Sequence, residues 1–283
     1  MKKIAIIGTD SSHCIAFTKI LHKYYQDRIT IVGAFRGESP VPLSTSRIDK
    51  FSQQLALLDI PFYDSLEELK QQVDGYLLLA VDGKQHLDYV RNLNKFGIPI
   101  FIDKPLAISY EDAVEIVQLC KVNSMPLMSA SALRYSMPHS CGDAVDIFAP
   151  LPLEQHEGYF WYGIHAIEML AALVGVDVER LNVQSNDKMD LVTLTFTNGH
   201  VSTVRGFLSN RESFNYAFHK QQQTIFHAID ENLTSSYEKL VKRIVHFFET
   251  GEMPIKSEEL LQVIKIVEAI NTSKSLKKEI WLK

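Results

Sequence analysis

The chain has 283 residues, of which 46% are hydrophobic and 22% are charged, and its formal net charge is -5 at pH 7. This composition is typical of a globular protein with one large domain or two ordinary domains. The negative charge excludes a basic surface for nucleic acid, and no apolar run has the length of a membrane span. Three widely spaced cysteines, without CxxC or HExxH motifs, indicate a reducing cytoplasmic setting and no metal site.

Apolar strands alternate with amphipathic helices through the first 130 residues. The unbroken apolar run at residues 76–81 is expected when helices cover both faces of a strand. This alternation predicts a doubly wound parallel sheet of the α/β class. The predicted strands are residues 3–7, 29–35, 76–81, 99–102 and 126–129, and predicted helices include 46–58, one opening at 65, 85–96 and 109–123.

The turn after the first strand lies where a doubly wound sheet binds a dinucleotide. The G-x-G-x-x-G fingerprint requires glycine at positions 8, 10 and 13, but the chain has Gly8, Asp10 and His13. Asp10 brings bulk and a like charge towards a pyrophosphate. The helix amino terminus still offers N–H groups, and Ser11 and Ser12 are suited to phosphate. An ordinary capped helix is the alternative interpretation.

The second predicted strand ends at Phe35 and is followed by Arg36. An acid at this position binds the adenosine ribose of NAD, whereas an arginine accommodates the 2′-phosphate of NADP. The sequence therefore favours NADP slightly over NAD. The alternative is that Arg36 is simply exposed and that no adenosine binds.

The predicted strand at residues 99–102 stops at Asp103, Lys104 and Pro105. In a parallel sheet these residues lie at the carboxyl edge, where such sheets bind ligands. Pro105 biases Lys104 towards extended backbone. Lys104 can then act as a proton donor, as a partner for a substrate oxygen, or as one half of a surface ion pair with Asp103.

The alternation stops after residue 130, so we predict one domain at residues 1–130 and a second at 131–283. Asn198-Gly199 is a strong hairpin signal. Strands without intervening helices predict an α+β domain with a mainly antiparallel sheet. Residues 130–152 are predicted to be irregular, a helix ends near Gly175, strands occupy 181–184, 191–197, 200–207, 224–229 and 279–282, and helices occupy 236–249 and 257–272.

Four segments together resemble the Gfo/Idh/MocA oxidoreductase family in their order and spacing, over nearly the full length. They are residues 80–86, the Asp-Lys-Pro-Leu of 103–106 in place of the family's Glu-Lys-Pro, the Gly-Ile-His of 163–165 with its continuation to 168, and 247–254. The resemblance implies a Rossmann domain followed by an α+β domain with an open sheet. It also implies NAD or NADP as cofactor, a small-molecule substrate, and a homodimer or larger homo-oligomer.

The resemblance also implies roles for individual residues. Lys104 would stabilise or protonate the substrate oxygen, and His165 would be the general acid or base, a task suited to histidine because its pKa lies near neutrality. Asp82, His86 and Asp103 fall in the cofactor-binding segments. His86 would touch the ligand or lie exposed at the surface.

Arg134, Tyr135 and Trp161 are the candidates for substrate binding. Arg134 and Tyr135 follow the predicted domain boundary, and packing between domains is the alternative for both. Trp161 stands where the family has an aspartate four residues before the histidine. A tryptophan cannot orient the histidine or accept its proton, so the family's Lys-Asp-His trio is incomplete. The segment between Tyr135 and Gly163 is also short for the family.

Two functions therefore stay open. The first is an NAD(P)-dependent oxidoreductase that transfers a hydride to or from a sugar, cyclitol or related polyol. The second is a protein that retains the fold without redox chemistry and binds or senses a small metabolite. In the second, Asp10, His13 and Trp161 form a new pocket, where Trp161 can stack on a sugar face or fill the nicotinamide space. Asp10 and His13, three residues apart, can hydrogen-bond each other in place of a phosphate site. A purely structural protein is a third alternative.

Overall fold

A computed structural model describes residues 1–93, 97–138, 144–151, 158–208, 213–220, 222–229 and 233–282. The chain divides into two compact units. Unit 1 comprises Met1–Ala107, Glu111–Ala130 and Tyr237–Ser257, and unit 2 comprises Ile108–Tyr110, Ser131–Ser236 and Glu258–Lys283. None of the helices in the described ranges is long and apolar enough to cross a membrane.

Unit 1 contains a parallel sheet of six strands in the order β3-β2-β1-β4-β5-β6. The strands are β1 Lys2–Ile7, β2 Ile29–Phe35, β3 Phe62–Tyr63, β4 Gly75–Leu78, β5 Ile100–Asp103 and β6 Leu127–Ala130. The helices that accompany them are α1 Ser12–Tyr24, α2 Pro42–Thr45, α3 Ile48–Ala56, α4 Leu66–Leu69, α5 His86–Leu93 and α6 Tyr110–Val122. The prediction of a doubly wound parallel sheet is confirmed.

The apolar strands of unit 1 are buried because helices cover the sheet. Every residue of Ile4 to Ile7 and of Tyr76 to Leu79 is fully buried. The strand order reverses between β1 and β4, and such switch points are where open parallel sheets bind ligands. The fold thus places the candidate turn at residue 8 at this point.

Two predicted helices of unit 1 differ from those observed. The helix predicted at 46–58 is observed as α3, which is shorter by two residues at each end, and the short helix α2 before it, which begins at Pro42, was not predicted. The helix predicted to open at Ser65 does begin there, with the Glu68 N–H donating to the Ser65 hydroxyl at 3.3 Å. It ends as α4 after one turn. The last residues of the helix predicted at 85–96, residues 94–96, lie outside the described ranges.

Unit 2 contains a sheet of seven strands in the order β12-β11-β7-β10-β9-β8-β13. All neighbours are antiparallel except β7 and β10, so the predicted mainly antiparallel sheet is confirmed. The strands are β7 Ala144–Pro150, β8 Val178–Ser185, β9 Met189–Phe196, β10 Val201–Phe207, β11 Asn215–Lys220, β12 Gln223–Ala228 and β13 Ile280–Trp281. The later helices of the chain are α7 Gly163–Val174, α8 Thr234–Thr250 and α9 Ser257–Leu276.

The hairpin predicted at Asn198-Gly199 joins β9 and β10. Gly199 has a φ of 82°, which glycine adopts without strain. The turn is closed by the Gly199 N–H, which donates to the Phe196 carbonyl at 2.9 Å. By contrast, β7 lies within the segment that was predicted to be irregular. Its alternating burial, with Val145, Ile147 and Ala149 inward, shows that the prolines nearby do not interrupt it.

Helix α8 corrects the predicted domain division. The sequence assigned it to residues 131–283, but from Tyr237 onward it belongs to unit 1. Its apolar side packs on the parallel sheet: a Cβ on Gly75 of β4 would lie 2.6 Å from the Phe248 ring. At the surface, Arg28 and Glu249 form an ion pair. Packing on the sheet therefore decides where this helix belongs, although more than a hundred residues separate it from the rest of unit 1.

Candidate active site

The turn after β1 retains the glycine that its backbone requires. Gly8 has a φ of 85°, and a Cβ at this position would lie 2.4 Å from the backbone of Ala80 at the end of β4. Ser11 caps α1, its hydroxyl accepting from the His13 N–H at 3.2 Å. Ser12, the first helical residue, is exposed. The amino terminus of α1 is therefore suited to a phosphate.

The Asp10 side chain is buried and bonds to the backbone after β4, so it stabilises the turn after β1. It is 1% exposed, and its Oδ1 accepts from the Val81 N–H at 3.0 Å. Burial raises the pKa of the Asp10 carboxyl, and the Ser44 hydroxyl, the Val81 N–H and His86 offset this only in part. The expected hydrogen bond between Asp10 and His13 is wrong, because His13 has a different partner.

That partner is Asp103, the last residue of β5. Nδ1 of His13 and Oδ2 of Asp103 are 2.6 Å apart, and the two side chains are 12% and 6% exposed. The imidazole stacks on Phe17 and meets Tyr237 edge-on, each at 5.1 Å between ring centroids. Burial raises the pKa of Asp103, but His13 and Lys104 outweigh it, so the pKa lies below its ordinary value. The sequence did not predict this pair, since 90 residues separate its members.

Lys104 is the residue directly after Asp103 in the chain. Burial lowers the pKa of its ammonium group, and the charge of Asp103 opposes that effect. A lysine whose pKa is lowered by burial is better matched to proton transfer near neutral pH than an exposed lysine. The peptide bond between Lys104 and Pro105 is cis.

Arg36 is 42% exposed and contacts two carboxylates. Its Nη2 lies 2.5 Å from Oδ1 of Asp49, and its Nε lies 3.6 Å from Oε1 of Glu38. These partners would compete with a 2′-phosphate. Asp82 is also engaged: its Oδ2 accepts from the Ser39 hydroxyl at 2.6 Å.

His86 is a structural residue. It is fully buried, and its ring nitrogens lie 2.9 Å from the carbonyl oxygens of Pro105 and Ala80. It therefore joins the end of β4 to the loop after β5. The expectation that His86 touches a ligand or lies exposed is wrong, because both nitrogens are bonded to backbone.

In unit 2, a serine holds His165. Nδ1 of His165 lies 2.7 Å from the hydroxyl of Ser131, which also accepts from the Leu133 N–H at 3.1 Å. Ser131 is 1% exposed, and the rings of Tyr162 and Phe214 flank the imidazole. No sequence motif indicated that Ser131 contacts His165.

Arg134 is bound by two carboxylates. Its Nε donates to Oε2 of Glu168 and its Nη1 to Oε1 of Glu259, both at 2.5 Å. Burial lowers the pKa of Arg134, but the two glutamates raise it by more than burial lowers it, so the pKa lies above its ordinary value. Substrate binding by Arg134 stays a prediction, as it does for Tyr135 and Trp161, which are both partly buried.

Within unit 1, the helix amino terminus, the imidazole of His13 bonded to Asp103, and Lys104 are suited to acid–base and anion-binding chemistry. Unit 2, taken by itself, has an imidazole bonded to a hydroxyl, that of His165. The described side chains include no group of three or more His, Cys, Asp or Glu residues that could hold a metal ion.

The unit 1 sequence matches a known family. The model for GFO_IDH_MocA, described as an oxidoreductase family with an NAD-binding Rossmann fold, matches residues 2–131. A comparison with curated proteins found no match.

Solved structures of similar fold span the whole chain. Myo-inositol 2-dehydrogenase from Lactobacillus plantarum is 12% identical, with a TM-score of 0.81 and coverage of 100% of this chain and 99% of that chain. An oxidoreductase from Agrobacterium radiobacter, in complex with NAD+, L-tartaric acid and magnesium, is 16% identical, with a TM-score of 0.76 and coverage of 99% and 98%. A myo-inositol dehydrogenase from Corynebacterium glutamicum is 12% identical, with a TM-score of 0.79 and coverage of 100% and 99%. At such identities the likeness shows the fold.

Proposed function

We propose that this chain, whose residues 2–131 match the GFO_IDH_MocA model, belongs to that oxidoreductase family and is a nicotinamide-dependent oxidoreductase that acts on a sugar, cyclitol or related polyol. The observation that carries the proposal is the position of Lys104, directly after Asp103 at the carboxyl edge of the parallel sheet. This is the sheet edge at which such folds bind their ligands.

The residues at this edge fit a dinucleotide. Gly8 permits the close turn, and Ser11, Ser12 and the amino terminus of α1 would hold the pyrophosphate. Oδ1 of Asp103 is buried without a hydrogen-bond partner among the described residues, so it can accept from a ligand hydroxyl. Bound nicotinamide would supply the acceptor or donor of the hydride.

Lys104 and His165 are the proposed catalytic residues. When an alcohol is oxidised, its carbon loses a hydride and its hydroxyl loses a proton. The Lys104 ammonium would hydrogen-bond to the substrate oxygen, and the imidazole of His165, whose Nδ1 lies 2.7 Å from the Ser131 hydroxyl, would take the proton. In the reverse direction the same groups return the proton.

The proposed substrate class is supported by the names of structures with the same fold, which include myo-inositol dehydrogenases. The choice between NAD and NADP stays open, because Arg36 has carboxylate partners that a 2′-phosphate would have to displace. Arg134, Tyr135 and Trp161 are retained as proposed substrate contacts.

A thermal-melt titration with NAD, NADP and their reduced forms tests cofactor binding. A ligand that binds only the folded protein stabilises it by about 2.7 kcal/mol at a hundredfold excess over the dissociation constant. We expect one cofactor to raise the melting temperature. Whether that cofactor is NAD or NADP shows whether Arg36 accommodates a 2′-phosphate. No shift with any of the four at millimolar concentration would rule the proposal out.

Variants then test the catalytic assignments with inositols and sugars as substrates. Lys104→Met and His165→Gln should each lower kcat by roughly 100- to 10,000-fold while still binding cofactor. The exposed Lys121→Met is the matched control and should retain activity. If the two losses multiply in the double variant, the residues do not act in one step and the assignment fails.

Assembly and location belong to the same proposal. We expect a cytoplasmic homodimer or larger homo-oligomer. Cys14 and Cys120 are buried free thiols, which suits a reducing compartment. Light scattering during size-exclusion chromatography measures the assembly, and a monomer at micromolar concentration would contradict this part.

A further inference from the structure

A small pocket lies on the half-exposed face of the unit 2 sheet, beside the turn that joins β8 and β9. Its volume is about 170 Å³, and its lining residues are Gln184, Ser185, Asn186, Met189, Leu191 and Arg205. A cavity of about 150 Å³ holds a benzene molecule, so this pocket has room for a ligand of about six non-hydrogen atoms. The proposed function assigns no role to any of these residues.

The sheet register brings the lining side chains together. Arg205 on β10 lies opposite Leu191 on β9, and Leu191 lies opposite Gln184 on β8. Residues opposite each other on paired strands share a face, so these three side chains form one row across the sheet. The guanidinium of Arg205 therefore lies beside an aliphatic side chain and near an amide.

This face of the sheet is not the face on which α7 packs. A Cβ on Gly206, the residue after Arg205, would lie 3.1 Å from the Tyr159 hydroxyl. The Tyr159 ring in turn packs against Gly163 at the start of α7. Successive residues of a strand point to opposite faces, so Arg205 points away from α7. The pocket is therefore separate from His165, the proposed catalytic residue of this unit.

Arg205 is half-buried, yet the acceptor that it contacts is a sulfur atom. Its Nη1 donates to Sδ of Met189 at 3.4 Å, and a thioether is a weak acceptor. Asp146 lies on the same face, but the Thr203 hydroxyl at 2.5 Å and Nε2 of His219 at 2.8 Å engage its two oxygens. Among the described residues, no carboxylate forms an ion pair with Arg205. The guanidinium therefore lacks an acceptor of opposite charge.

The other lining groups favour a carboxylate with a short hydrocarbon part. At the turn after β8, Oδ1 of Asn186 accepts from the N–H groups of Lys188 and Met189, which leaves its amide NH2 to donate. A planar guanidinium matches the two oxygens of a carboxylate in a bidentate pair. Leu191 and Met189 supply an apolar wall for the rest of the ligand.

We propose that this pocket is a binding site for a small carboxylate of about six non-hydrogen atoms, held by Arg205 with its hydrocarbon part against Leu191 and Met189. The inference goes beyond the proposed function, because it uses none of the residues assigned to the cofactor or to proton transfer. A bound carboxylate replaces the thioether as the acceptor of Arg205, which changes the surroundings of the Met189 methyl group.

NMR spectra of the full chain with isotope-labelled methionine methyl groups report this change. Met189→Leu, which keeps the apolar wall, identifies the Met189 signal. At constant ionic strength, sodium butyrate should shift that signal with a dissociation constant on the order of 1 mM. Butyramide has the same shape without the charge and should bind about tenfold more weakly or worse. Inorganic phosphate, which lacks the hydrocarbon part, should also bind more weakly than butyrate.

Arg205→Gln should weaken butyrate binding about tenfold to a hundredfold, because the charge and the paired N–H donors are lost. Arg180→Gln is the matched control. Arg180 lies on β8 of the same sheet but is already paired with Glu279, so this variant should bind butyrate like the wild type. The remaining methionine signals verify that both variants are folded.

The outcomes separate this inference from the proposed function. Butyrate that binds Arg205→Gln as tightly as the wild type, or phosphate that binds more tightly than butyrate, overturns the inference. If the Met189 signal changes with protein concentration but not with butyrate, a second copy of the chain fills the pocket and the small-ligand site is ruled out. The test uses no nicotinamide, so its failure leaves the oxidoreductase proposal standing, and failure of the cofactor titration leaves this inference standing.

Discussion

At the scale of single residues, polar side chains stand at two glycine positions of the fingerprint, and each side chain has a different hydrogen-bond partner. Asp10 bonds to the backbone of Val81, and His13 bonds to Asp103. The sequence indicates that both positions are unusual. It does not indicate their partners, because these depend on which strand ends lie beside the turn.

Asp10→Asn should raise stability at neutral pH. Burial raises the pKa of Asp10 in the folded state, so between the ordinary and the raised pKa the folded protein binds more protons than the unfolded chain. Stability therefore falls as the pH rises through that window, and the ionised group is unfavourable above it. Asparagine retains an acceptor for the Val81 N–H without the charge. We expect a gain on the order of 1 kcal/mol at pH 7.

Urea unfolding between pH 4 and pH 8 measures this effect. Stability of the Asp10→Asn variant should also depend less on pH at the acid end of the range. The control is Asp49→Asn, because the Asp49 side chain is 74% exposed and should change little. A large loss of stability in Asp10→Asn at pH 7 would mean that the charge itself holds the turn.

Ser131 is a positioning residue for His165, and Ser131→Ala should release the imidazole. Without the hydroxyl at 2.7 Å, the tautomer balance of His165 should change, which NMR shifts of its ring nitrogens report. Ser131→Thr retains the hydroxyl and should restore the wild-type shifts. Ser131→Ala also removes the hydroxyl that accepts from the Leu133 N–H and the hydrogen bond to His165. Together these losses should destabilise the protein by about 1 kcal/mol. Identical His165 shifts in all three proteins would contradict the positioning role.

At the scale of elements, the sequence predicts strands best where burial is complete. The apolar run at residues 76–81 predicts a strand, and the structure has β4 there. By contrast, β7 was not predicted, because the prolines at 150 and 152 were given more weight than its alternating pattern. In β7 the apolar residues Val145, Ile147 and Ala149 face inward. Pro150 ends the strand without breaking it, as a proline at a strand end can.

Arg134 joins three elements of unit 2, and Arg134→Met should destabilise the chain strongly. Arg134 lies in the short helical turn at residues 132–136 and bonds to Glu168 on α7 and Glu259 on α9. Removing the guanidinium leaves Glu168, which is 4% exposed, as an uncompensated buried charge. The expected loss is about 3–5 kcal/mol.

The matched control is Arg180→Met in the same unit. Arg180 and its partner Glu279 are 38% and 42% exposed, so the loss should stay below about 1 kcal/mol. Guanidinium unfolding curves measure both values. Equal losses in the two variants would show that the buried network has no special role in stability.

At the scale of the whole molecule, local pattern predicted the fold class better than it predicted the site. Periodicity and turn chemistry act over a few residues, and they sufficed for the parallel sheet and the β9–β10 hairpin. The pairs His13–Asp103 and Ser131–His165 join residues 90 and 34 positions apart. Such contacts depend on sheet order and side-chain direction, which no local signal carries. The assignment of α8 to unit 1 was missed for the same reason.

Phe248→Ala should therefore destabilise unit 1, although the residue lies beyond all of unit 2's sheet strands except β13. Phe248 is 2% exposed and packs over Gly75, so its removal leaves a cavity against β4 that costs about 3–5 kcal/mol. Hydrogen exchange followed by mass spectrometry should accelerate in β1 and β4 and stay unchanged in β9 and β10. Phe226→Ala is the control, since Phe226 is 60% exposed on β12 and its loss should change neither sheet. Faster exchange in β9 and β10 of the Phe248 variant, to the same extent as in β1, would show that the two units unfold as one and that the helix does not stabilise unit 1 selectively.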